Sequence, residues 1–251
     1  MAHGLIHKVR NSLNALRAHV ALLQKFSLSS QEPRIPQQLQ KVEKVVSGLE
    51  ELAKEYLALV SPEPNQWQEI ALAPLVREVL NFESLHLEQE KITLREEIDP
   101  ETYNIYVDRA KFKKALLALV VNARQAMIGG GQLTVRVQST AQGQVLLEVK
   151  DTGCGIPEEE RDRIFEPFFT TKPEGLGLGL AVVKRIIRDF QGQITFESEV
   201  GRGTNFRLLL PRGDRQRARV ERQARRQHWL QPISKKETTH GGNTEMEDFT
   251  G

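Results

Sequence analysis

The residues best suited to chemistry lie between Asp151 and Lys184, in the run DTGCGIPEEERDRIFEPFFTTKPEGLGLGLAVVK. An aspartate ends an apolar, strand-like stretch, a glycine pair follows, and three spaced glycines then open directly into a helix. A carboxylate only accepts hydrogen bonds, so Asp151 suits the exocyclic amine of a purine. Glycines let backbone come close to a ligand, and a helix starting at Gly179 would aim unpaired N–H groups at phosphate oxygens. In this order the residues describe a nucleotide site, although the glycines alone would equally suit a flexible loop. A dinucleotide-binding turn is excluded, because FEPFFTTKPE before GLGLGL does not alternate as a strand. A P-loop is excluded because no GxxxxGK[ST] occurs. Cys154, the single cysteine, rules out an internal disulfide and a cysteine-cluster metal site. Between two glycines it reads as a small tolerated side chain rather than a redox group.

Elements able to hold such a site surround it. Pro74 in a first helical turn begins LVREVLNFESLHLEQ, and ITLREEI alternates as a strand. Asp108 is expected to cap a helix whose apolar positions Phe112, Leu116, Leu119, Ala123 and Met127 keep helical spacing until Gly129 to Gly131 stop it. LTVRVQST and QVLLEVKD, separated by AQG, form an expected hairpin. A helix from Gly179 to Phe190 follows, then the strands QITFESE and TNFRLLL around a GRG turn. Strands interleaved with helices that cover one face predict an α+β sandwich.

Ahead of this domain, Ile6, Val9, Leu13, Leu16, Val20 and Leu23 step by three and four, the seam of a helix that packs on other helices. Leu39, Val42, Val46, Leu49, Ala53, Tyr56 and Val60 repeat the pattern after a break at SLSSQEPRIP. Two such helices make a hairpin, and a hairpin leaves apolar surface that dimerisation into a four-helix bundle would cover. The expected organisation is a helical hairpin over 1–61, a linker over 62–69 (PEPNQWQE), an α+β domain over 70–211 and a flexible, partly helical basic tail over 212–251. The tail carries nine basic and six acidic residues of a chain whose net charge is +2, so the remainder is close to neutral. A nucleic-acid-binding protein would carry its basic surface on the folded part, so no nucleic-acid partner is expected. No apolar run approaches the ~20 residues that span a membrane, and no signal-peptide h-region opens the chain, so a cytoplasmic protein is expected.

With its elements in place, residues 70–211 resemble the ATP-binding domain of bacterial sensor histidine kinases, a fold shared with heat-shock chaperones and type II topoisomerases. ALVVNARQAM looks like the N box, DTGCGIP the first glycine box, FEPFFTTK the phenylalanine box and GLGLGL the second glycine box, with Gly203 and Thr204 at the last turn. The resemblance implies ATP and Mg²⁺ as ligands. By it Asn122 would hold Mg²⁺ and Asp151 the adenine amine, with Gly153, Gly155 and Ile156 beside the base. Phe165, Thr171, Lys172, Gly175, Leu176, Gly177, Leu178, Gly179, Leu180 and Thr204 complete the implied nucleotide site. The chain departs from the family at Ala118, where an asparagine is frequent, and in the short connector from Thr171 to Gly175, which is closer to the nitrogen-regulator type.

HKVRNSLNAL resembles the family's phosphoacceptor box. It implies phosphorylation of His7 by ATP, with Asn11 one helical turn on, and transfer to an aspartate of a response-regulator receiver. Residues 5–60 would form the homodimer. Lys8 stands where the family places an acid, and Ser12 where it places proline. A protonated lysine is no general base, although its charge would stabilise added phosphate. A kinase-impaired phosphatase or nucleotide-binding regulator is therefore the alternative. A serine kinase or chaperone-type ATPase on the same fold is a further rival, though those lack a hairpin bearing a histidine. With only six residues before His7, the stimulus is expected to come from a separate sensory chain, unless the sequence is a fragment.

Overall fold

The computed structural model describes residues 13–23, 35–60, 63–99, 104–172 and 175–229. Two helices come first, α1 over residues 13–23 and α2 over Ile35–Val60, in the segments where the heptad spacing predicts them. In the single chain their seam residues Leu13, Val20, Leu39, Val46 and Val60 remain exposed.

A short strand β1 (Trp67–Ala71) then leads into α3 (Leu72–Gln89), β2 (Ile92–Ile98), β3 (Asn104–Asp108) and α4 (Arg109–Ala126). The hairpin β4 (Gly131–Ser139) and β5 (Gln144–Asp151) follows, with a 3-10 turn at Glu158–Glu160. After it come α5 (Gly179–Asp189), β6 (Gln193–Glu199), β7 (Gly203–Pro211) and α6 (Gly213–Trp229). Five strands form one sheet in the order β2-β4-β5-β7-β6, parallel only between β2 and β4. β1 and β3 pair antiparallel beside it.

Period-two burial explains the sandwich. Leu133, Val135 and Val137 of β4, Val145, Leu147 and Val149 of β5, and Phe206, Leu208 and Leu210 of β7 point to one side and are buried. α3, α4 and α5 cover that side with Val76, Val79, Leu80, Phe112, Leu116, Leu119, Val183 and Ile187. The opposite face carries a charge ladder across all five strands. Glu97 pairs with Arg136, Arg136 with Glu148, Glu148 with Arg207 and Arg207 with Glu197. Alternating signs on neighbouring strands add cross-strand attraction where apolar residues would expose the sheet to association.

Asp108 caps α4, its Oδ1 accepting from Lys111 N at 3.1 Å. Its Oδ2 accepts from Gln66 N at 2.9 Å, and Lys111 Nζ donates to Asn65 Oδ1 at 2.7 Å. These bonds strap residues 63–66 to the start of α4. β1 begins at Trp67, inside the stretch expected as linker, because Trp67 stacks on Tyr106 and meets Phe190 edge-on. The basic stretch expected to be flexible holds α6, which packs on β3 and is anchored by fully buried Gln216, whose Nε2 donates to Phe190 O at 2.6 Å.

Candidate nucleotide site

The site lies where β5 ends between α4 and α5. β5 carries Asp151 inward at the last position of its buried face, leaving it 2% exposed. Its Oδ1 accepts from Gly153 N at 2.8 Å and Thr204 N at 3.2 Å. Burial pushes the Asp151 carboxyl above the ordinary aspartate value, while these N–H groups and the Lys172 charge pull it back. An acceptor fixed in a dry position by backbone alone can read a donor on a purine edge.

The glycines around it serve the protein's own backbone. A Cβ at Gly153 would stand 2.5 Å from Ala126 O, and one at Gly155, where φ is +73°, 2.2 Å from Glu199 O. At Gly203, with φ at +106°, it would stand 2.1 Å from Asp151 O. Cys154 N donates to Ala126 O at 3.0 Å and Gly201 N to Cys154 O at 2.8 Å, so the loop is sewn between α4 and the β6–β7 turn. Ser198 Oγ accepts from Ile156 N at 2.8 Å and lies 2.9 Å from Thr204 Oγ1.

The other end is built differently. Leu178, the residue before α5, makes no side-chain cap, and a Cβ at Gly179 would meet nothing within 4 Å. The first N–H groups of α5 are thus left without a side-chain cap, the situation that favours an anion. Gly177, with φ at +69°, accepts through its carbonyl from Phe168 N at 2.7 Å, tying the glycine turn to the phenylalanine-rich connector. Leu178 is buried; Leu176 and Leu180 are half-buried.

Asn122 lies on the face of α4 toward this end. Its Oδ1 accepts from Lys172 Nζ at 2.6 Å, and the same ammonium donates to Gln125 Oε1 at 2.8 Å. Burial pushes the Lys172 ammonium below the ordinary lysine value, Cys154 and Asp151 acting against this and Arg124 with it. A cation already held by Asn122 Oδ1 shows that this oxygen suits a positive ligand. Among the described residues no three His, Cys, Asp or Glu side chains cluster as metal ligands. A hard cation here would rely on Asn122, ligand oxygens and water, as Mg²⁺ commonly does.

The structure thus brings Asn122, Asp151, Lys172, Thr204 and the two glycine turns into one site. Thr171 is exposed at its rim, and Gly175 closes the turn after Lys172. Phe165 packs against Phe196 and Phe206 at ring distances of 5.9 and 6.5 Å. His7, Lys8, Asn11 and Ser12 lie outside the described residues. Gln125 and Ser198 escaped the sequence reading; Gln125 could have been found three residues after Asn122, on a neighbouring helix face. Tyr56 of α2, expected only as a seam residue, stacks its ring on Phe168 at 6.3 Å.

This fold and site define a nucleotide-binding ATPase-type domain. The family described as histidine kinase-, DNA gyrase B- and HSP90-like ATPase matches residues 107–214. The chain is 35% identical over 208 residues to the signal transduction histidine-protein kinase AtoS of Escherichia coli K12, covering 83% of this chain and 34% of AtoS. Among solved structures, the catalytic domain of histidine kinase ThkA aligns with a TM-score of 0.54 at 33% identity, over 59% of this chain and 99% of that one. ThkA solved in complex with the response regulator protein TrrA aligns with a TM-score of 0.62 at 28% identity, over 81% of this chain and 60% of that one. The chain belongs to the bacterial two-component sensor histidine kinases, as a catalytic core. It spans between about a quarter and a half of the curated relatives it matches. No helix among the described residues is long and apolar enough to cross a membrane.

Proposed function

We propose that this chain is the ATP-dependent kinase core of a two-component system, working in the cytoplasm as a homodimer through residues 5–60. Asp151 carries the reading: a buried carboxylate with one oxygen fixed by two backbone N–H groups and the other left to accept from the adenine amine. Asn122 would hold Mg²⁺, which when bound neutralises charge on the phosphates. The uncapped start of α5 would take phosphate oxygens, and Thr204 and Gly203 would keep Asp151 in place. The Nε2 or Nδ1 lone pair of neutral His7 would attack the γ-phosphorus, ADP leaving as the bond to the β-γ bridging oxygen breaks. The phosphoryl group would pass to a receiver aspartate of a response regulator, where Asn11, expected one helical turn from His7, would position water to hydrolyse it. The exposed seam residues of α1 and α2 support the second copy, and a sensory chain or segment would supply the stimulus.

Lys8 and Ser12 decide how fast the first step runs. Purified protein incubated with Mg²⁺ and γ-labelled ATP, beside His7→Gln and Asn122→Ala, is expected to take up acid-labile label only in the unaltered chain. Acid-stable label, or label retained by His7→Gln, would overturn the assignment of His7. Nucleotide binding with no label would make the chain a phosphatase or regulator.

A further inference from the structure

Lys172 is the residue on which the connector folds back toward α4. Its backbone N–H donates to Thr170 Oγ1 at 3.1 Å, and its carbonyl accepts from Gly175 N at 3.2 Å. From there the side chain crosses to Asn122 Oδ1 and Gln125 Oε1, at 2.6 and 2.8 Å. Both partners are neutral amides. They orient the ammonium without cancelling its charge, so it keeps its attraction for an anion in the space beside it. Amide oxygens are also hard ligands for a divalent cation. One oxygen, Asn122 Oδ1, is therefore the seat of two competing cations, one of them covalently part of the chain.

Given a nucleotide in this site, we propose that Lys172 is a built-in counter-ion that shares the Asn122 seat with the divalent metal and lets the site hold a metal-free nucleoside di- or triphosphate. Without metal, the ammonium bridges the amide oxygens and the phosphates. With Mg²⁺ held at Asn122 Oδ1, the Lys172 ammonium would be left to the phosphate oxygens. The exchange moves charges and breaks no covalent bond. A site with a single amide as its metal-holding side chain would otherwise lose its ligand whenever the metal left.

The test is calorimetric titration of the whole chain with a non-hydrolysable ATP analogue, in EDTA and in saturating Mg²⁺, for wild type, Lys172→Met and Lys172→Arg. Wild type is expected to bind in both media. Lys172→Met should lose about tenfold or more of its affinity in EDTA, the scale of one close charge pair, and much less in Mg²⁺. Lys172→Arg, which keeps the charge, should recover most of the loss in EDTA. Equal losses by Lys172→Met in both media, or a wild type that binds only with Mg²⁺, would overturn the proposal. A wild type that binds in neither medium would overturn the nucleotide reading itself.

Discussion

Both ends of the nucleotide site hold glycines packed against backbone, Gly177 against Phe168 and Phe169 as Gly153 is against Ala126, but they differ at Gly179 and at Lys172. Around Asp151 the carboxylate is held by backbone N–H groups, and Gly153, Gly155 and Gly203 leave no room for even one carbon. Around Asn122 and Gly179 one flexible lysine spans the gap, α5 starts without a side-chain cap, and a Cβ at Gly179 would meet nothing within 4 Å. On the proposed reading, the first arrangement would fix the identity of a base, and the second would leave ions and phosphates free to exchange, as phosphotransfer requires at every turnover. Rigidity at one end and exchange at the other are thus read from the same short stretch of chain.

Substituting glycines should separate the two ends most sharply. Gly203→Ala forces a Cβ into Asp151 O at a positive φ, and thermal unfolding should show a loss of at least roughly 3 kcal/mol, with nucleotide binding lost too. Gly179→Ala adds a carbon in open space at a helix start, so its unfolding midpoint should hold or rise slightly while affinity for a triphosphate falls. Comparable destabilisation by both would erase the distinction.

Asp151→Asn keeps an oxygen for the Gly153 and Thr204 N–H groups but turns a donor toward the adenine amine. Affinity for ADP should fall about a hundredfold, with a small change in stability. Acid should act on the same group. Because burial raises the folded carboxyl above the ordinary aspartate value, ADP affinity should decline with falling pH sooner than for an exposed aspartate. The linkage to stability has the opposite sense: this group favours folding below its unfolded value, and that contribution disappears as pH rises through the folded one. Titrations across mildly acidic pH would show whether Asp151→Asn removes the trend.

The smallest effect is expected on the outer face of the sheet. Glu148 is buried, a cost that would raise its carboxyl, yet bonds from Asn205 and Arg207 and the charges of Arg136 and Arg207 hold it below the usual range. Its contribution is present above the unfolded carboxylate value and lost as pH falls through the folded one. Glu148→Gln should cost about 1 kcal/mol near neutral pH, flatten the acid limb of the stability curve and leave nucleotide affinity unchanged.

Much of this was legible in the sequence because local rules and tertiary needs agree. Asp108 caps α4 where an aspartate before a helical apolar pattern should, and the AQG turn joins β4 to β5 in register. Asp151, Asn122 and Lys172 carry polar groups whose types announce ligands. β1 was not legible: WQEIA has no clear alternation and owes its strand to Trp67 packing against Tyr106 and Phe190, contacts distant in sequence. The partly helical tail was legible, but the docking of α6 hid behind its arginines, since a single buried glutamine, Gln216, anchors it. The tight packing of Gly153, Gly155 and Gly203 against backbone was equally invisible, because a glycine letter does not say whether a ligand or the chain itself fills the space beside it.

The most direct measurement is a pair of calorimetric titrations of the unaltered chain with ADP and with GDP, repeated on Asp151→Asn. Guanine presents an acceptor oxygen where adenine presents its amine, so a buried carboxylate should admit ADP and refuse GDP. The account predicts that selectivity, and its collapse or reversal in Asp151→Asn. Equal binding of both nucleotides by the unaltered chain, or a selectivity untouched by the substitution, would contradict it.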